Sequence, residues 1–156
     1  MKNKTVCFTG HRKIPQTDYE KISVRLRITL LNLISEGYCY FGVGGALGFD
    51  TLAAKTVLDL KNEYPQIKLI LVLPYFSQTR GWQDSDIKIY EYIKSCADKV
   101  RYTSDTYFSG CMKKRNRHLV DNSSVCTCYL TKNKGGTYYT VNYAEMNGLQ
   151  IINIAK

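Results

Sequence analysis

Ile67-Lys68-Leu69-Ile70-Leu71-Val72-Leu73, stopped by Pro74, is the stretch that decides the fold of this chain. Such a nearly continuous apolar run suits a central parallel strand covered on both faces. Shorter runs of similar character lie on either side of it: Thr5–Thr9, Tyr38–Val43, Lys99–Tyr102, Val125–Leu130 and Gln150–Ile154. Helical patterns separate them. Thr17, with Glu20 three residues later, reads as a capping box. Tyr19, Ile22, Leu26, Leu30, Leu33 and Ile34 then recur at spacings of three and four, the stripe of an amphipathic helix that stops at Gly37. Asp50 is placed to cap a second helix carrying Leu52, Ala53, Leu58 and Leu60. Further helices are predicted over Asp84–Ala97, with Ile89, Ile93 and Cys96 inward, over Cys111–Asp121 and over Thr137–Asn147. Strands that alternate with helices along a whole chain predict one α/β domain: a Rossmann-like, three-layer fold with a mostly parallel sheet. No internal repeat, linker or low-complexity tract interrupts the pattern.

The length of 156 residues suits a single domain able to bury its own core. A hydrophobic fraction of 44% and a charged fraction of 22% are those of an ordinary globular protein. The formal net charge of +9 favours anionic partners, whether nucleotides, nucleic acid or acidic surfaces, without choosing among them. The six cysteines form no C-x-x-C pair and have no zinc spacing, so they read as reduced thiols, mostly packed as small hydrophobes. Cys126 and Cys128 share one face of their strand. No metal site and no cofactor are expected. No signal peptide is read at the start, and no run approaches the ~18 apolar residues of a membrane span, so a cytoplasmic protein without membrane contact is expected.

In open α/β sheets, ligands bind beyond the carboxyl ends of the strands. Three glycine-containing loops fall there: Thr9-Gly10-His11-Arg12, the run from Gly44 to Asp50, and Gly135-Gly136-Thr137. Glycine lets backbone approach a ligand, and a helix start offers free N–H groups and a positive dipole end, which suit phosphate. Arg12 can pair with phosphate in a two-pronged way, or with a nearby helix carboxylate. His11 can face a ligand or bond backbone in its turn. Asp50 is either a helix cap or a group for a ribose hydroxyl. Tyr75 and Trp82 can stack on a base or pack in the core. Lys113-Lys114-Arg115-Asn116-Arg117 is the densest basic run, suited to polyphosphate, nucleic acid or solvent. Asp121, four residues after Arg117, is placed to pair with it. No complete catalytic constellation is present.

Taken together, FTGHR at Phe8–Arg12, GGALGFDTLAA at Gly44–Ala54, LPYFSQTRGW at Leu73–Trp82, CMKKRNRHLVD at Cys111–Asp121 and GGTYYTVNYA at Gly135–Ala144 form a recognisable set. The chain resembles the YpsA-like branch of the SLOG superfamily, which also holds DprA-type DNA-processing proteins and LOG-type phosphoribohydrolases. The resemblance implies a Rossmann-like fold and a site for nucleotide or ADP-ribose-type ligands. It implies site roles for Gly10, His11, Arg12, Gly44, Gly45, Gly48, Asp50, Gln78, Trp82, Arg115, Gly136, Thr137 and Thr140. Ala46, Tyr75, Asn116 and Gly135 complete the expected ligand-binding set. LOG-type enzymes carry a glutamate at the position of Thr140, and a hydroxyl cannot replace a carboxylate that activates water or stabilises an oxocarbenium-like centre. Glu145, five residues on, is rotated away by about 140° at ~100° per residue.

The leading expectation is a non-catalytic sensor or sequestering protein for a nucleotide-derived signal, an ADP-ribose derivative or a cyclic nucleotide. The alternative is a hydrolase of an N-glycosidic or phosphate bond, with His11, Asp50 or Asp121 as acid or base. A second alternative is nucleic-acid binding with steep salt dependence, against which stands a basic helix with no interleaved aromatic residues. The resemblance also implies a homodimer or higher homo-oligomer.

Overall fold

The apolar runs become six strands in a computed structural model that describes residues 1–156. They are β1 (Thr5–Gly10), β2 (Tyr40–Val43), β3 (Lys68–Leu73), β4 (Lys99–Tyr102), β5 (Val125–Tyr129) and β6 (Gln150–Asn153). Five helices connect them: α1 (Gln16–Ser35), α2 (Phe49–Lys61), α3 (Asp84–Cys96), α4 (Cys111–Asp121) and α5 (Gly136–Met146). All neighbouring strands are parallel, in the order β4-β3-β2-β1-β5-β6. The chain therefore builds outward from β1 to β4, crosses back through α4, and resumes beside β1 with β5. This reversal between β1 and β5 is a topological switch point, where the loops leaving the two strands diverge and open a crevice.

Side chains alternate across a strand, so the sheet feeds two cores. Val6 and Phe8 of β1, with Leu69 and Leu71 of β3, meet α1 and α2 in the larger one. Cys7, between Val6 and Phe8, turns the other way and meets Cys126, Cys128, Leu119, Val120 and Val141. Cys126 and Cys128 indeed share a face, and all six cysteines are free thiols. Burial pushes the Cys128 thiol up to about 12, which keeps it a neutral packing group. Each fully buried Leu, Phe or Val contributes on the order of 1.5–3 kcal/mol.

The sequence expectations hold for every element to within two residues at each end. Two caps differ. The first helix begins at Gln16 after Pro15, with no side-chain cap, so Thr17 and Glu20 form no capping box; Pro15 presets the entry. The second begins after Gly48, which puts Asp50 inside its first turn rather than at the cap. Tyr19 also leaves the buried stripe of α1, at 42% exposure.

The glycines are fitted to close approach. Gly48 has φ +76°, and a Cβ there would run into the Arg12 backbone. A Cβ at Gly10 would enter the ring of Phe49, which is fully buried and stacks on Tyr129 with centroids 6.0 Å apart. Gly136 has nothing within 4 Å of its would-be Cβ. Gly10→Ala is therefore expected to destabilise by about 1–3 kcal/mol through overpacking. Gly136→Ala should leave stability within roughly 0.5 kcal/mol, as for a change away from packed features. Urea unfolding of the two variants measures the contrast.

Candidate functional site

The crevice at the switch point is a cleft of about 530 Å³. Thr9–Arg12 at the end of β1 form one wall. Lys132, Lys134 and Gly135–Thr137, in the loop from β5 into α5, form the opposite one. Ala46 and Asp50 come from the start of α2, and Met112, Arg115 and Asn116 from one face of α4. A larger outer compartment of about 1070 Å³ adjoins it, sharing His11, Arg12 and Lys132 and adding Asp18, Tyr19 and Tyr129.

A chain of hydrogen bonds holds the floor together. Arg115 is only 4% exposed and donates through Nη1 to the Gly44 carbonyl. Its Nε donates to Asn116 Oδ1 at 2.7 Å, and Asn116 Nδ2 donates to Thr140 Oγ1 at 3.1 Å. Thr140 Oγ1 in turn donates to the Gly136 carbonyl at 2.9 Å. The β2–α2 loop, α4 and the first turn of α5 are thereby fixed to one another. A side chain at Gly44 would displace the guanidinium, which explains glycine there.

Asp50 is the other buried charge. Its Oδ2 accepts from the Ala46 N–H at 3.1 Å, shaping the glycine loop. Burial raises its pKa, opposed by the Arg115 charge and the Ala46 bond. Burial likewise lowers that of Arg115, with Asp50 opposing. The two feel each other but form no ion pair within 4.0 Å: the molecule's ion pairs are Arg27–Asp59 and Lys61–Asp98. Basic groups around the cleft are thus left without carboxylate partners.

Helix α5 adds a directional feature. Gly135, at φ +97°, precedes it, and no side chain caps it. The first backbone N–H of this turn to find a partner is that of Tyr139, which donates to the Gly135 carbonyl. The N–H groups of Gly136, Thr137 and Tyr138 carry no bond within the protein, at the positive end of the helix dipole.

Of the expected residues, Gly10, His11, Arg12, Ala46, Asp50, Arg115, Asn116, Gly135, Gly136 and Thr137 meet at the inner cleft. Gly48 lines the outer compartment. Gly44 and Thr140 lie behind the surface, in the hydrogen-bond chain. Gln78 is buried near Gly45, with Oε1 accepting from the Tyr90 hydroxyl at 3.3 Å and Nε2 unpartnered. Trp82 and Tyr75 line neither compartment: Trp82 packs edge-on against Tyr90 at 5.5 Å, and Tyr75 against Tyr107 at 5.6 Å. Arg117 does not pair with Asp121. It donates to the Tyr139 hydroxyl, and Asp121 accepts from Tyr143 at 2.7 Å. Sequence reasoning missed Lys132 and Lys134. Their signal was visible in the spacing TKNKGG, two lysines just ahead of a glycine helix start.

Fold and cleft together define a parallel α/β protein whose switch-point crevice is lined by glycine loops, cations and a helix N-terminus. A sequence model described as the YspA SLOG family matches residues 6–153. The chain belongs to that family. The UPF0398 protein of Bacillus thuringiensis strain Al Hakam is similar at 28% identity, across 93% of this chain and 84% of its own. Among solved structures, DNA processing protein A of Streptococcus pneumoniae superposes with a TM-score of 0.67 at 16% identity, over 96% of this chain and 50% of that one. DNA processing protein A of Helicobacter pylori, described for its single-stranded DNA binding mode, gives 0.64 at 18% identity, over 94% of this chain and 63% of that one. This chain spans half of the pneumococcal protein and under two thirds of the Helicobacter one. At these identities the likeness is one of fold.

His11 is the titrating group of the cleft. Its Nε2 accepts from the Thr131 N–H at 2.9 Å, which requires a neutral ring. Burial lowers its pKa, and Lys132 lowers it further. A depressed folded pKa gives stability that is present above the unfolded value of about 6.5 and is lost as pH falls through the folded one. The stability gap between the native chain and His11→Ala should accordingly be widest above about pH 6.5 and close on acidification. Urea unfolding from pH 5 to 8 reads it, and a gap that widens in acid contradicts the assignment.

Proposed function

We propose that this protein binds a phosphate-bearing, nucleotide-derived small molecule in the switch-point cleft and acts as a receptor or sequestering protein. The observation that carries the reading is the convergence at one crevice of the unpaired N–H groups of Gly136 and Thr137 at the start of α5 with Arg12, Lys132 and Lys134. Phosphate is the ligand group that uses both fixed N–H dipoles and a two-pronged arginine. The outer compartment gives room for a ribose and base beyond the phosphates, beside the Tyr129 and His11 rings. This favours an ADP-ribose-type ligand over a compact cyclic nucleotide.

Binding without turnover is supported by the state of the candidate acids and bases. Thr140 stands where the resemblance places a catalytic glutamate, and it is buried and bonded on both sides. Asp50 is the single carboxylate lining the inner cleft, and it holds the Ala46 N–H. Asp121 lies on the other side of α4. The SLOG likeness further supports a cytoplasmic homodimer or higher homo-oligomer, which light scattering on the purified protein would read. No helix is long and apolar enough to cross a membrane.

Isothermal titration with ADP-ribose, NAD, cyclic AMP and ATP tests the reading. At least one of them is expected to bind saturably at sub-millimolar concentration and to be recovered intact. Arg12→Ala should weaken that binding about tenfold or more, the usual loss for a hydrogen bond to a charged group. Product in excess of protein would establish the hydrolase instead, and silence across all four would overturn the proposal.

A further inference from the structure

Helix α4 has two working faces. One carries Arg115 and Asn116 into the cleft. The other carries Lys113, Lys114, Arg117 and His118 along a separate groove of about 500 Å³. That groove continues past Arg101 and His118 into an adjoining one of about 350 Å³, floored by Ile70 and Val72 of the sheet. Its far wall is the edge strand β4, whose alternation turns Lys99 and Arg101 outward while Val100 and Tyr102 pack on the main core. Two helices, α4 and α5, serve this face of a six-stranded sheet, and the strip between α4 and β4 is left as an open channel.

The channel's charge is one-sided. Its single carboxylate, Asp121, already accepts from the Tyr143 hydroxyl. None of its lysines or arginines forms an ion pair, since the molecule's ion pairs involve Arg27 and Lys61 only. Burial and the nearby Arg101 charge lower the His118 pKa, the direction expected where positive potential accumulates. Helix α4 carries no aromatic residue of its own, as its sequence indicates, but rings of neighbouring segments flank it. Lys114 sits 5.9 Å from Phe108, whereas Lys113 and Arg117 lie over Tyr139 of α5, at 4.2 and 5.6 Å, on the side of α4 away from β4. Phe108 is 44% exposed in the loop ahead of α4, and Tyr107 beside it is 66% exposed.

We propose that this channel between α4 and the β4 edge is a second binding site, for a segment of single-stranded nucleic acid. Cations spaced along a groove match successive phosphates, and the exposed Phe108 ring beside Lys114 offers a stacking platform for a base. A mononucleotide would use only part of the channel. A duplex presents no unstacked base to Phe108. A flat anionic membrane would not reach the groove floor at Ile70 and Val72. The proposal is independent of the ligand reading of the cleft, which lies on the opposite face of α4.

The test is fluorescence anisotropy with a 3′-labelled, 5′-hydroxyl oligothymidylate of about twenty nucleotides, titrated from 50 to 200 mM salt. The native chain is expected to bind it, with log K falling against log salt at a slope near −3 for about four to five phosphates at ~0.7 each. Arg101→Glu combined with Lys114→Glu should weaken binding at least tenfold. Phe108→Ala should weaken it about fivefold or more, the effect of losing one stacked base. Arg12→Ala, in the cleft, should leave it unchanged. An unchanged thermal midpoint shows that each variant is folded. Three results overturn the proposal: no oligonucleotide binding, full binding by the charge-reversed variant, or loss of binding with Arg12→Ala. Tighter binding to the matching duplex or to phosphatidylserine vesicles overturns it as well.

Discussion

A guanidinium buried at the carboxyl edge of the sheet holds this structure's cleft in shape. Arg115 comes from α4, the helix that carries the chain back across the sheet after β4. Its bond to the Gly44 carbonyl ties that returning half to the half built outward from β1. Burying an arginine is costly unless its donors are satisfied. Gly44 and Asn116 satisfy part of that need, and Asp50 offsets the charge from within the same cleft. Because the partner is a backbone carbonyl next to a position where any side chain would collide, the guanidinium specifies glycine as much as glycine admits the guanidinium.

The rest of the site follows from that anchor and from the strand order. Reversal between β1 and β5 opens a crevice that no helix fills. Gly10 allows Phe49 to seat beneath it, and Gly48 lets the Arg12 backbone pass over the start of α2. Asn116 and Thr140 extend the Arg115 network to Gly136, so the first turn of α5 is positioned by the same contacts that position the glycine loop. His11 closes the far side through the Thr131 N–H. The cleft is hydrogen-bonded along its floor and cationic at its rim, an arrangement that favours an anion reaching in from solvent.

Much of this was legible in the residues. Apolar runs such as Ile67–Leu73 mark buried parallel strands because both faces of such a strand need apolar side chains, and glycines mark the turns. The glycine loops gathered where open α/β sheets bind ligands. What the sequence hid was set by tertiary geometry. Arg115 sits in a run of five polar residues that reads as solvated, and only the packing of α4 shows that it alone is buried. For Trp82 and Tyr75 the sequence left stacking on a base and packing both open, and the β3–α3 loop turns them onto Tyr90 and Tyr107. Arg117 had Asp121 one turn away, but the neighbouring tyrosines of α5 offered nearer partners. The strand order, which creates the cleft, depends on where α4 returns, and no local pattern encodes that.

The most direct test of the central claim is a two-dimensional ¹H–¹⁵N titration of the labelled protein with ADP-ribose. Saturable shifts are predicted at the backbone amides of Gly136, Thr137 and Tyr138, the unpaired donors of α5, together with His11 and Arg12. Shifts confined to other surfaces, or none at millimolar ligand with those amides assigned, would contradict the account of the switch-point cleft as the binding site.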